Sequence, residues 1–164
     1  MNIYLIGFMG VGKSTVAKEL SERLDRRLVD TDSAIEAKEQ RTISEIFNSD
    51  GEEYFRGLER ELIRELASDN NLIVSCGGGI IKSDDNIRIM KDTGHVILLE
   101  ASPDTIYDRV KDDNTRPLLK DNSGVSYIKK LLEERNLLYN KAYTDKVDAN
   151  GTVQRVTDDI IELL

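Results

Sequence analysis

Short apolar runs alternate with longer amphipathic stretches along this chain. The runs occupy residues 3–6, 28–29, 72–74 and 96–99, with a weaker one around Val147. Segments this short and this rich in branched side chains read as buried strands. Between them apolar residues recur at helical spacing, as in Val16, Leu20, Leu24 and again in Leu58, Leu62, Leu66. Val153, Val156, Ile160, Ile161 and Leu164 continue the pattern to the end. Helix starts are marked by Ser33 with Glu36 and Thr42 with Glu45, both in capping-box spacing, and by Ser102 before Pro103. Strands alternating with helices predict an α/β fold: a five-stranded parallel sheet with right-handed crossovers and helices on both faces. At 164 residues, 1–164 forms a single domain. Ligands in such a fold sit at the carboxyl ends of the strands, so the residues after each run are where chemistry is expected. Residues 111–124 break the alternation. They are polar, hold Pro117 and Gly124, lack periodicity, and read as a mobile lid.

Composition narrows the class. Twenty-three Lys and Arg against 31 Asp and Glu give a formal net charge of −8, which disfavours nucleic-acid and membrane-surface binding. One cysteine excludes a disulfide framework or a cysteine-rich zinc site. The opening residues carry too short an apolar run for a signal peptide, and no stretch approaches the ~18 apolar residues of a membrane span. The expectation is a soluble, cytosolic enzyme domain with small-molecule partners.

The strongest motif follows the first strand. Residues 7–14, Gly-Phe-Met-Gly-Val-Gly-Lys-Ser, satisfy the phosphate-loop pattern G-x-x-x-x-G-K-[ST]. Glycines let backbone N–H groups turn toward phosphate oxygens, and the following helix contributes the positive end of its dipole. Lys13 brings a mobile charge to the terminal phosphates, and the Ser14 hydroxyl is a hard ligand for Mg²⁺. Gly10, Val11, Gly12 and Thr15 complete the cradle for the nucleotide's phosphates.

The second strand ends in Asp30-Thr31-Asp32. Two carboxylates along an extended end can hold Mg²⁺ and accept a proton from an acceptor hydroxyl; alternatively Asp32 only complements a helix N-terminus. After the third strand come Gly77, Gly78 and Gly79, read either as exposed N–H groups for a close ligand or as a tight turn. Cys76 reads as buried and inert, and His95 as structural. Arg56, Arg116 and Arg135 offer guanidinium groups suited to carboxylate or phosphate, though a single arginine is usually a solvated charge.

Taken together these residues resemble the shikimate kinase family of P-loop kinases, in its nucleoside-monophosphate-kinase-like branch. The likeness runs from Ile3 to about Asp148. It is carried by GFMGVGKST, VDTD, ISEIF with GEEYFR, the triple glycine, RPLL and ERNLLY. It implies ATP-dependent phosphorylation of the 3-hydroxyl of shikimate, with Mg²⁺ as cofactor, by a monomer. Asp32 would meet the hydroxyl, Arg56 and Arg135 would grip the carboxylate, and Gly78 and Gly79 would add backbone contacts. Arg116 would arrive with the lid, and Arg109 would stack on adenine. Asp30 would support Mg²⁺ through water, and Ile43, Phe47 and Phe55 would form an apolar wall in a substrate-binding segment at about 32–60. The rivals are a gluconate or nucleoside-monophosphate kinase and, in another class, a GTP-dependent switch. For the switch, Asp145-Lys-Val-Asp148 lacks the asparagine of the guanine-reading motif.

Overall fold

The computed structural model describes residues 1–112 and 124–164. The expected lid therefore lies almost wholly outside the described residues, and Arg116 with it.

Five parallel strands form one sheet: β1 (Asn2–Ile6), β2 (Leu28–Asp30), β3 (Ile73–Ser75), β4 (Gly94–Glu100) and β5 (Asp145–Asp148). Their order is β2-β3-β1-β4-β5. All four neighbouring pairs are parallel, with Leu5 opposite both Ser75 and Ile97. The helices among the described residues are α1 (Lys13–Leu24), α2 (Thr31–Glu39), α3 (Ile43–Ala67), α4 (Asp84–Thr93), α5 (Pro103–Val110), α6 (Val125–Ala142) and α7 (Val153–Glu162). A 3-10 turn at Ile80–Lys82 follows the glycines after β3.

Both faces of the sheet are buried, as a parallel sheet requires. Alternation along β1 divides the core. Tyr4 and Ile6 pack with Ile46, Leu62 and Ile63 of α3, Met90 of α4 and Tyr139 of α6. Ile3 and Leu5 pack with Val16 and Leu20 of α1, Ile106 of α5 and Ile160 of α7. Helix α6 contributes Ile128 to the second cluster and Tyr139 to the first, so it serves both halves of the core.

Local signals held unevenly. Thr42 and Glu45 form the full capping box at α3, and Ser102 caps α5 with proline in its first turn. Ser33 is not a cap: α2 begins two residues earlier, and the Asp30 carboxylate accepts from the Ser33 N–H at 2.9 Å. The first two residues after Asp30 are consequently helical rather than an extended continuation of β2. The third strand is displaced by one residue from the expected run, because Leu72 spends its N–H on the buried Asn2 Oδ1 at 3.0 Å. The apolar period of the last helix ends early, with Leu164 beyond α7 and 47% exposed.

Candidate active site

The connections after β1 and β3 leave toward opposite edges of the sheet, which opens a crevice at the carboxyl end of β1. The cleft there has a volume of about 780 Å³. Three groups of residues build it: the glycine loop after β1, the start of α2 with the middle of α3, and the glycine turn after β3.

The glycine loop takes its shape from backbone conformations that side chains resist. Gly10 has φ +81° and Gly12 φ +99°; at Gly10 a Cβ would also stand 2.5 Å from Val110. Gly12 is the N-cap of α1, and no side chain caps that helix start. Its first N–H groups face the cleft, the arrangement that binds phosphate. Lys13 lies back along the loop, its ammonium donating to the carbonyls of Gly7 and, at 3.1 Å, Phe8. Ser14 and Thr15 line the same cleft.

Beside the glycine loop, Arg109 from α5 donates to the Val11 carbonyl at 2.9 Å and the Ala149 carbonyl at 2.8 Å. It ties the glycine loop to the loop after β5. Thr152, Val153 and Val156 line the cleft beyond it.

The opposite side carries Asp32, Arg56 and Arg135. Asp32 stands in the first turn of α2, half-buried. Burial raises its pKa above the usual carboxylate value, Asp30 and Glu36 raise it further, and Lys13 and Arg56 pull it back. Asp30 lines the cleft too, with one oxygen engaged as the cap of α2. Arg56 projects from α3 and is held by Glu59, 2.5 Å away, and Glu52, 3.3 Å away. Glu59 is 1% exposed, its second oxygen lacks a hydrogen-bond partner among the described residues, and burial raises its pKa. Arg135 comes from α6 and lies over the Phe8 ring at 5.6 Å. Gly78 and Gly79 complete this end, and Ile43, Phe47 and Phe55 form its apolar wall, the two phenylalanine rings 5.0 Å apart.

The fold thus brings together all the expected site residues that it describes. It also adds Glu59, which sequence reasoning missed. The signal was available in retrospect: a glutamate three positions after an arginine on one helix faces it. Two other residues behave as expected. Cys76 is buried and its thiol pKa is pushed up by burial. His95, in β4 and away from the cleft, has Asp145 at 3.7 Å.

A glycine loop of the phosphate-binding pattern, facing a pocket that holds Asp32 and two arginines, defines a P-loop small-molecule kinase. The family model for shikimate kinase matches residues 9–164. A shikimate kinase of Persephonella marina is 48% identical over 141 residues, covering 86% of this chain and 85% of that protein. One from Pelotomaculum thermopropionicum is 42% identical over 164 residues, covering 99% and 95%. Among solved structures, shikimate kinase from Acinetobacter baumannii in complex with shikimate superposes with a TM-score of 0.89 at 35% identity, covering 99% of this chain and 91% of that one. The chain belongs to the shikimate kinase family.

Proposed function

We propose that the protein transfers the terminal phosphoryl group of ATP to the 3-hydroxyl of shikimate. The observation that carries this reading is the convergence of Asp32, Arg56 and Arg135 on one end of a cleft whose other end is the phosphate loop. A small acid bearing hydroxyl groups matches that end. Its carboxylate takes the two guanidinium groups, and its reacting hydroxyl meets Asp32.

Phosphoryl transfer asks a protein for positioning, charge neutralisation and exclusion of water. The loop N–H groups and Lys13 hold the terminal phosphates, and Arg109 packs against the adenine. Asp32 orients the acceptor hydroxyl and takes its proton, a task suited to a carboxylate of raised proton affinity beside cationic neighbours. Arg116 is assigned to the transferring phosphoryl group, within a lid spanning 111–124.

The residues present fit Mg²⁺. Ser14 supplies a hydroxyl and Asp30 a carboxylate for an interaction through water, while the described residues hold no cluster of three or more ligating side chains. That sparse oxygen set suits an ion that keeps its waters and substrate phosphates as ligands. When bound, Mg²⁺ supplies charge neutralisation at the phosphates.

The test is ATP consumption with shikimate, gluconate and a nucleoside monophosphate offered in turn. Turnover with shikimate alone is expected. Turnover with either other acceptor, or guanine-specific nucleotide retention without any transfer, would overturn the reading. In the same assay Arg56→Ala raises the KM for shikimate more than that for ATP.

A further inference from the structure

The three glycines after β3 are not explained by backbone conformation. Positive φ among the glycines is confined to Gly7, Gly10, Gly12, Gly51 and Gly124. Gly79 sits at φ −94° and ψ −3°, which any residue can adopt. What the three share is space already filled by another side chain. A Cβ at Gly77 would stand 2.5 Å from Asp32 Oδ1 and 3.1 Å from its carboxyl carbon. At Gly78 it would stand 3.0 Å from Arg135 Nη1. At Gly79 it would overlap the Arg56 guanidinium at Nη1, Cζ and Nη2.

Each glycine therefore lies beneath one of the three side chains assigned to the acceptor. Those side chains come from three different helices, α2, α3 and α6, and the turn is the floor on which they meet. The floor is also fixed in place. The Gly77 N–H donates to Thr31 Oγ1 at 2.8 Å, and Thr31 is fully buried beside Asp32.

We infer that Gly77, Gly78 and Gly79 are positioning residues, left without side chains so that Asp32, Arg135 and Arg56 can lie against the turn, with Thr31 setting its height. The inference rests on the acceptor roles proposed above for those three side chains. It differs from a turn left bare for the ligand's sake, because the group accommodated belongs to the protein.

A double-mutant cycle separates the two. Gly79→Ala raises the KM for shikimate about tenfold or more, with the KM for ATP within about twofold. In an Arg56→Ala background the same substitution costs less than about twofold, because the guanidinium it would strike is gone. Gly78→Ala has the smallest effect of the three, since its neighbour needs to give only a few tenths of an ångström. Gly77→Ala lowers kcat, and in an Asp32→Ala background the same substitution costs less than about twofold, a dependence that general loosening of the turn would not show.

An additive cycle, in which Gly79→Ala costs the same with and without Arg56, overturns the inference and leaves the assignment of Arg56 standing. An unchanged KM for shikimate in Arg56→Ala alone overturns that assignment and this inference together. Should Gly79→Ala fail to fold, the double variant decides. Recovery of folding supports a direct clash; continued failure means that the turn needs glycine for itself and overturns the inference.

Discussion

Two carboxylates in the cleft, half-buried Asp32 and buried Glu59, face opposite consequences at the scale of single residues. Asp32 has a raised pKa, so it binds its proton more tightly folded than unfolded. Its contribution to stability is full at low pH and is lost as pH rises through the folded value. Ionised Asp32 is thus a cost that the fold carries for chemistry. Asp32→Asn is expected to lower kcat by about 10²–10⁴-fold while the melting temperature at neutral pH holds or rises. In the parent enzyme kcat/KM for shikimate should climb with pH through a value above that of a free aspartate, and a pH–rate series measures it. Glu59 also has a raised pKa, but it holds Arg56 through a short contact. Glu59→Gln keeps the shape and removes the charge, so the shikimate KM should rise by several-fold, roughly a factor of ten at most, with ATP handling unaffected. Equal effects on both substrates would count against the Arg56 contact as the cause.

At the scale of elements, α3 determines where the acceptor arginine stands. The helix is interrupted at Gly51, where φ is +84° and ψ 173°, a combination open essentially to glycine. Nothing lies within 4 Å of the space a side chain would take there. Gly51→Ala therefore tests backbone strain alone, and should cost about 1–3 kcal/mol in chemical denaturation. The same helix begins with the Thr42–Glu45 box, where Thr42→Ala should cost about 1 kcal/mol. The box was legible from residue spacing. The start of α2 was not, because Asp30 and Ser33 both carry side chains that can cap, and only the position of β2 decides between them. Glu59 was missed for a related reason: its role depends on burial of one helix face, which spacing alone does not report.

Over the whole molecule, a net charge of −8 coexists with a cleft that gathers Lys13, Arg56, Arg109 and Arg135. In the proposed function the surrounding negative field discourages large polyanions, while the local cations take a small one. Raising ionic strength should increase the KM for ATP through screening, with less effect on kcat, which steady-state kinetics in added salt would measure. Saturating ATP should raise the unfolding free energy by about 2.7 kcal/mol at a hundred times its Kd, seen as a shift in melting temperature. Among the described residues no helix is long and apolar enough to cross a membrane.

What the sequence determined by itself was whatever depends on neighbours along the chain. Strand and helix order followed from hydrophobic period, the phosphate loop from its glycines and lysine, and two helix starts from their caps. These are short-range effects, fixed by backbone sterics and by which face turns from water. The tertiary structure alone decided the acceptor end of the cleft. Asp32, Arg56, Gly77 and Arg135 lie far apart in sequence, and each by itself has an ordinary explanation. Only packing α2, α3 and α6 around the glycine turn after β3 brings them together. Burial there raises the proton affinity of a helix-start aspartate, and leaves the space over three plain glycines to side chains from three helices.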